Sequence, residues 1–124
     1  MPNPVVHLEI LGSDAAALQQ YYRDLFDWKI TQASPDFPYG IIKADEQGEG
    51  IGGGVGGTME GGEAQATLYV QVDDIQASLD KATKLGGQTV IPVTPIPGMV
   101  TFAQFKDIAG NIIGMVASET PPAE

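Results

Sequence analysis

Residues 68–87, LYVQVDDIQASLDKATKLGG, contain a strand pattern followed at once by a helix pattern. The first residues alternate between apolar and polar side chains, a two-residue period that predicts a strand with one apolar face. Asp73 or Asp74 can then cap a helix whose apolar residues recur at helical spacing, and Gly86 or Gly87 ends it. The apolar positions are Leu68, Val70 and Val72 in the strand and Ile75, Leu79, Ala82 and Leu85 in the helix. The stretch therefore predicts a β-strand that leads directly into a capped amphipathic helix.

The same arrangement occurs earlier in the chain. Several matching residues are separated by 60 positions: Asp14 and Asp74, Leu25 and Leu85, Gly50 and Gly110, and Gly54 and Gly114. In the opening strands an offset of 62 fits better, because it aligns HLEI at 7–10 with YVQV at 69–72. Their common order along the chain predicts an internal repeat.

Each half also contains three shorter strand candidates. In the first half Ser13 or Asp14 can cap the helix AAALQQYYRDLF at 15–26. The short strands are predicted at 28–31, 39–44 and 50–56, and again at 88–93, 100–105 and 111–116. The sum is an α+β fold of two βαβββ modules at 5–57 and 67–117, with a linker at 58–66 and a fraying acidic tail at 118–124.

Composition limits the class of partner. The 124 residues have the length of one domain, and no run of about 18 apolar residues or signal-peptide pattern occurs, so we expect a cytoplasmic location. Sixteen acidic residues against six basic ones give a net charge of −10, which repels phosphate backbones and anionic lipids. No cysteine is present, which excludes thiolate chemistry. The sequence argues against nucleic acid and membrane as partners.

The doubled βαβββ unit resembles the vicinal oxygen chelate superfamily, which includes glyoxalase I, bleomycin resistance proteins and extradiol dioxygenases. The resemblance is carried by His7 on the first strand, by DD-I-x-A-x-L-x-K-A at 73–82 and by D-x-x-G-N at 107–111. GIGGGV at 50–55 and PIPG at 95–98 look like the small glyoxalase-like proteins of this group. The resemblance implies a curved mixed sheet around a cavity, and a homodimer.

The resemblance also implies four points at which metal-binding members carry ligands. In this sequence they fall at His7, near Gly54, at Tyr69 or its neighbours, and at Gly114. Only His7 is a metal-ligand type, with Glu9 as a nearby oxygen donor, whereas Zn²⁺ generally takes three or four protein ligands. We therefore expect no tightly held metal and no cofactor; a divalent metal using His7 is the alternative.

Gly54 and Gly114 have two interpretations. The absence of side chains at these related points can leave room for a ligand in the cavity. Alternatively, the two glycines permit bulges or sharp curvature of the sheet. The sequence does not decide between the two.

The remaining candidate site residues follow from the faces of the strands. Glu9 shares a face with His7 and could orient it, raising the pKa of the imidazole so that it acts as a general base, or His7 is only a hydrogen-bonded wall residue. Tyr69 and Gln71 would supply a hydroxyl and an amide to a small polar ligand, or they only pack against neighbouring strands. We place Phe102 and Gln104 on the concave face, leaving Phe105 to the core and Trp28 to pack at the end of the first helix. The segment PVTPIPGMV at 92–100 would cover the cavity mouth or simply stiffen a connection.

Three functions fit these residues. The first is a small-molecule binding protein without a tightly held metal, lined by the candidate ligand-binding residues His7, Glu9, Gly54, Tyr69, Gln71, Phe102, Gln104 and Gly114. The second is a metal-dependent lyase, isomerase or dioxygenase that uses His7 with ligands completed across a dimer. The third is an interaction module whose cavity is filled by its own side chains.

Overall fold

The computed structural model describes residues 3–34, 37–43, 50–58, 62–96 and 100–117. Its elements follow the predicted order, and the α+β class is confirmed. The strands and helices are β1 (Val5–Gly12), α1 (Ala15–Phe26), β2 (Ile30–Ser34), β3 (Phe37–Ile42), β4 (Gly53–Gly57), β5 (Gln65–Val72), α2 (Ile75–Lys84), β6 (Gln88–Pro95), β7 (Thr101–Lys106) and β8 (Ile112–Ala117). The chain divides into two compact units, Val6–Leu68 (the first unit) and Tyr69–Glu124 with Met1–Val5 (the second unit).

Both helices begin at the acidic caps that the sequence offers. The Asp14 carboxylate accepts a hydrogen bond from the Ala17 N–H at 3.0 Å, and Asp74 accepts one from the Ala77 N–H at the same distance. Each bond satisfies a backbone donor that the first turn of a helix leaves unpaired. Helix α1 spans the predicted 15–26, and α2 ends at Lys84, just before the positive φ of Gly86. Neither helix in the described part of the chain is long and apolar enough to cross a membrane.

In the first unit α1 packs against a mixed sheet. Strand β4 pairs with β1 in parallel and with β3 antiparallel, and β2 pairs with β3 at the edge. The core under the helix is centred on Val55, which is fully buried, together with Ile30 and Ile42. The Trp28 ring stacks on Tyr22 with 5.2 Å between ring centroids, which confirms its predicted packing at the end of α1.

The second unit has the same internal arrangement. Strand β8 pairs with β5 in parallel and with β7 antiparallel, and β6 pairs with β7. Helix α2 covers a core of apolar residues, against which Phe105 also packs as predicted. The fully or largely buried members are Val72, Ile75, Leu79, Ala103 and Met115.

The D-x-x-G-N motif forms the turn between β7 and β8. The Asp107 carboxylate accepts hydrogen bonds from the Ala109 N–H and the Asn111 N–H, both at 2.9 Å, and from the Asn111 side chain at 3.0 Å. Gly110 takes a φ of +94°, a conformation that glycine adopts without strain. The side-chain hydrogen bond from Asn111 is the main reason why the pKa of Asp107 is lowered. In this chain the motif is a structural turn.

The opening strands of the two units, like their helix starts, correspond at an offset of 60, so the offset of 62 predicted for the opening strands is wrong. Strands β1 and β5 begin at Val5 and Gln65, and the register places Glu9 beside Gly54 and Tyr69 beside Gly114. Glu9, not His7, therefore corresponds to Tyr69. A shift of two keeps every side chain on its face, so alternation alone could not detect it. The connection from the first strand to the helix has the same length in both units, whereas the helices themselves have 12 and 10 residues.

Two further expectations need correction. Alternation predicts Leu68 on the apolar face of β5, yet Leu68 is 39% exposed, whereas Thr67 and Tyr69 on the opposite face are 2% and 4% exposed. Strand bounds also differ from the predicted ones by up to three residues, as expected where alternation is short. The end of the predicted strand at Ala44, the loop residues 97–99, the tail 118–124 and part of the linker, 59–61, lie outside the described residues.

Candidate functional site

The polar residues of the first unit form a hydrogen-bonded cluster of His7, Tyr39 and Glu9, here called the His–Tyr–Glu cluster. Strand β1 carries His7 and Glu9 on one face, and β3 contributes Tyr39. The His7 Nε2 atom lies 2.8 Å from the Tyr39 Oη atom, and the Tyr39 hydroxyl donates to Glu9 Oε2 at 3.0 Å. The imidazole and phenol rings are nearly parallel, at 16°. All three side chains are half-buried.

Gly54 makes room for this cluster. A Cβ atom built on Gly54 would overlap the Tyr39 ring at its Cζ, Oη and Cε2 atoms. Glycine in a strand often marks a place where another group approaches the backbone, and here the group is a tyrosine of the same unit. The Tyr39 ring therefore occupies the space beside Gly54, and its hydroxyl is hydrogen-bonded to His7 and Glu9.

In the second unit a different tyrosine, Tyr69, lies over the corresponding glycine. A Cβ atom on Gly114 would overlap the Tyr69 ring, which comes from the paired strand β5. The Gln104 amide donates to the Tyr69 hydroxyl at 2.7 Å, and the Phe102 ring lies 6.5 Å from the Tyr69 ring. Tyr69 and Gln104 are 4% and 5% exposed. The two hydrogen-bonded residues Tyr69 and Gln104, which are buried and uncharged, are here called the Tyr–Gln pair.

The predicted site residues thus fall into two groups. The structure brings His7, Glu9 and Gly54 together in the first unit, and it brings Tyr69, Gln104, Phe102 and Gly114 together in the second. Gln71 lies on β5 beside Val116, half-buried, and its backbone N–H donates to the Pro4 carbonyl at 2.9 Å.

Tyr39 is the residue that sequence reasoning missed. The structure makes Tyr39 the counterpart of Phe102, because Tyr39 pairs with Gly56 and Phe102 pairs with Val116, and these two partners are 60 residues apart. Since Phe102 is predicted on the concave face, its counterpart on β3 belongs there too. Without the register of β3, the face of Tyr39 could not be assigned.

The pKa of His7 is lowered from its usual value of 6.5, and the cause is desolvation by burial. The sequence prediction that Glu9 would raise this pKa is wrong. Burial lowers this pKa because it penalises the charged imidazolium. His7 is therefore neutral near pH 7, the form in which an imidazole accepts a proton or binds a metal.

The residues at the four points implied by the resemblance do not fit a tightly held divalent metal. Of these points only His7 is a metal-ligand type; Gly54 and Gly114 lie under tyrosine rings, and Tyr69 is hydrogen-bonded to Gln104. Within the described residues, no three His, Cys, Asp or Glu side chains lie close enough together to hold an ion. Zn²⁺ sites generally use three or four protein ligands, and Ca²⁺ takes six to eight oxygens.

Comparisons with known proteins define the class. Residues 5–115 match the model of the Glyoxalase/Bleomycin resistance protein/Dioxygenase superfamily. The chain is also 30% identical over 115 residues to a glyoxylase-like domain-containing protein from Didymella fabae, a match that covers 84% of this chain and 85% of that protein. The chain belongs to the Glyoxalase/Bleomycin resistance protein/Dioxygenase superfamily.

Solved structures share the fold at low sequence identity. A glyoxalase/bleomycin resistance protein/dioxygenase superfamily member from Vibrio splendidus 12B01 superposes with a TM-score of 0.64 at 15% identity, covering 94% of this chain and 100% of that one. A variant of the methylmalonyl-CoA epimerase from Streptomyces coelicolor, in complex with 2-nitronate-propionyl-CoA, gives a TM-score of 0.68 at 12% identity and covers 100% of both chains. At these identities the likeness shows the fold alone.

Proposed function

We propose that this protein binds a small organic molecule at the His–Tyr–Glu cluster, without a tightly held metal ion. The observation that carries the proposal is the hydrogen-bonded arrangement of an imidazole, a phenol and a carboxylate on half-buried strand positions. Such convergent polar groups beside aromatic surface are typical of sites that orient a small ligand. The fold relatives include proteins solved with organic ligands, among them methylmalonyl-CoA epimerases.

The Tyr–Gln pair has a packing role in this proposal. Its amide donates to its hydroxyl in a place that is almost fully buried, and neither group carries charge. A ligand that bound there would have to replace this hydrogen bond and displace the Tyr69 ring from Gly114. We therefore assign ligand recognition to His7, Glu9 and Tyr39, and treat Tyr69, Gln104, Phe102 and Gly114 as support; Gln71 stays a candidate.

A metal-dependent lyase, isomerase or dioxygenase is the second candidate function. One observation favours it: His7 and Glu9, an imidazole and a carboxylate, lie in one cluster. In that case a partner chain would complete the ligands in a homodimer, the assembly we propose from the family resemblance.

Ligand-dependent stabilisation separates the two functions. We would measure the melting temperature of untagged protein against aromatic and polar metabolites, with chelator present and with added divalent ions. Binding to the folded state alone adds about 2.7 kcal/mol when the ligand is at 100 times its Kd. Metal-free binding predicts the same stabilisation in chelator, lost in Tyr39→Ala but kept in the control Gln76→Ala at an exposed position on α2. Absence of any stabilising compound would count against the proposal.

A further inference from the structure

Strand β4 has almost no side chains with which to fix its register. Its five residues read GGVGG, so Val55 is the only one that carries a side chain, whereas the equivalent strand β8 reads IIGMVA and has a single glycine. Glycine-rich strands specify their register weakly, because few side chains distinguish one alignment from another. A slip of two residues between β3 and β4 would keep every face but would move the Tyr39 ring away from Gly54. The position of this ring therefore needs a restraint that β4 itself does not supply.

The side chain of Gln19 on α1 contacts both strands of this pair. Gln19 is 5% exposed, and its Nε2 atom donates to the Val55 carbonyl oxygen at 2.8 Å. Val55 pairs with Gly40 in the β3–β4 ladder. A Cβ atom built on Gly40 would lie 3.0 Å from the Cδ and Nε2 atoms of Gln19. Gln19 thus reaches β3 and β4 at the same pair of residues.

This contact lies on the opposite face of the sheet from the His–Tyr–Glu cluster. Successive residues of a strand face opposite sides, so Gly40 faces Gln19 on α1 while the Tyr39 ring is directed away from the helix. On β4, Val55 lies in the core under α1, and a side chain on Gly54 would point at the Tyr39 ring. The hydrogen bond of Gln19 and the packing of Tyr39 on Gly54 therefore involve adjacent residues of the same two strands.

The second unit has apolar residues at the equivalent positions. Gln19 corresponds to Leu79, since each is the fifth residue of its helix. The corresponding helix and ladder residues of the second unit are all buried in its core: Leu79, Ala103 and Met115. A buried amide is costly unless it is hydrogen-bonded, and a leucine would bury apolar surface instead. Hydrogen-bonded polar groups in a core specify one arrangement of the elements around them. The amide therefore serves position more than stability.

We propose that Gln19 is a positioning residue of the His–Tyr–Glu cluster and holds β3 and β4 in the register that places the Tyr39 ring over Gly54. Gln19 does not act on the cluster directly, because it works through the backbone of the two strands. Its importance for binding rests on the proposed function, since the cluster is the site assigned there. The positioning itself is measurable without any bound compound.

The NMR signals of the His7 ring report where the Tyr39 ring lies. The two rings are nearly parallel, at 16°, and His7 is the only histidine of the untagged protein. Tyr39→Ala gives the signals that His7 has without the ring. Gln19→Met keeps the length of the side chain but removes the donor, so it should move the His7 signals from their wild-type positions toward those of Tyr39→Ala. The control Ile42→Val trims the same core without removing a hydrogen bond and should leave the His7 signals at their wild-type positions.

A double variant separates positioning from a general loosening of the core. If Gln19 acts through Tyr39, then adding Gln19→Met to Tyr39→Ala should move the His7 signals no further. Gln19→Leu introduces the residue type that the second unit has at this helix position, and we expect the same movement of the His7 signals in this variant. It keeps the test decisive where Gln19→Met does not fold.

Four results would overturn the inference. They are wild-type His7 signals in a folded Gln19 variant, an equal movement in Ile42→Val, a further movement in the double variant, and loss of folding in both Gln19 variants. The last result would make the amide a requirement of the fold rather than of the site. A failure of the whole metabolite screen, with the expected His7 signals, would reject the proposed function and leave the positioning role supported.

Discussion

The two units place a tyrosine ring on a strand glycine, but they take the tyrosine from different strands. In the first unit the ring on Gly54 is Tyr39 from β3, and in the second the ring on Gly114 is Tyr69 from β5. Glu9 occupies the position that corresponds to Tyr69, so the first unit has a carboxylate where the second has a phenol. The two units therefore share the packing of a tyrosine ring on a strand glycine but differ in the polar side chains around it.

Because of this difference, the first unit has a polar site with an imidazole and a carboxylate, whereas the corresponding residues of the second unit are part of its packed interior. The His–Tyr–Glu cluster contains an imidazole and a carboxylate on half-buried positions, whereas the Tyr–Gln pair is uncharged and almost fully buried. Buried neutral hydrogen bonds contribute to stability and specify one arrangement of side chains. Changes in the second unit should therefore affect folding most, and changes in the first unit should affect protonation and binding most.

The largest expected effect is that of Gly114→Ala. The new methyl group would overlap the Tyr69 ring, which is buried and has no easy way to move. Overpacking of this kind costs about 2–3 kcal/mol of unfolding free energy. Urea denaturation measures it, with Gly50→Ala as control, since a Cβ there meets no atom of the described residues within 4 Å and should change stability by less than about 0.5 kcal/mol. Equal midpoints for the two variants would contradict the packing of Tyr69 on Gly114.

The next effect is that of Tyr69→Phe compared with Tyr39→Phe. Both variants keep the ring on its glycine and remove only a hydroxyl. Tyr69→Phe leaves the buried Gln104 amide without its acceptor and should cost about 1–2 kcal/mol. Tyr39→Phe affects half-buried partners that water can reach, so it should cost less than about 1 kcal/mol. A larger loss in Tyr39→Phe would reverse the assignment of stabilising and binding roles.

Gly54→Ala should have a smaller effect on stability than Gly114→Ala, about 1 kcal/mol, because the half-buried Tyr39 ring can turn toward solvent. The displaced ring would leave His7 and Glu9, so the His7 NMR signals should change. In a Tyr39→Ala background the same substitution should cost less, since the clash is gone. Additive costs in the double variant would show that Tyr39 does not occupy the space above Gly54.

The smallest effect concerns pH. Burial lowers the pKa of His7 below 6.5, so the unfolded chain takes up a proton more readily than the folded one. Stability should therefore decrease as pH falls below 6.5 and through the lower folded-state pKa, and His7 should have no effect on the pH dependence well above 6.5. Denaturation of wild type and His7→Gln at about pH 7.5 and at about pH 5.5, on either side of the ordinary pKa of histidine, measures the difference. A wild-type protein that gains stability relative to His7→Gln on acidification would contradict the neutral, buried imidazole.

The sequence predicted the elements and the repeat because these depend on local patterns. Asp14 and Asp74 mark helix starts through their own hydrogen bonds, and Gly86 marks a stop through its φ. The alternation in β1 also predicted correctly that His7 and Glu9 share one face. Each of these features is encoded within a few neighbouring residues.

The site itself depended on information that alternation does not contain. Gly54 and Gly114 make room for tyrosine rings that come from other strands. Which ring lies over which glycine follows from the register between the strands. A shift of two residues leaves every face unchanged, which is why alternation could neither match Glu9 to Tyr69 nor identify Tyr39 as a site residue. The pKa of His7 likewise depended on burial, which only the folded chain defines.

Metal content per chain tests most directly whether the first unit recognises its ligand without a bound ion. Untagged protein purified without chelator would be compared with His7→Ala prepared in the same way, by mass spectrometry under native conditions and by elemental analysis. The account predicts far less than one metal ion per chain in both proteins. A near-stoichiometric ion that is lost in His7→Ala would contradict it and would make the metal-dependent enzyme the better description.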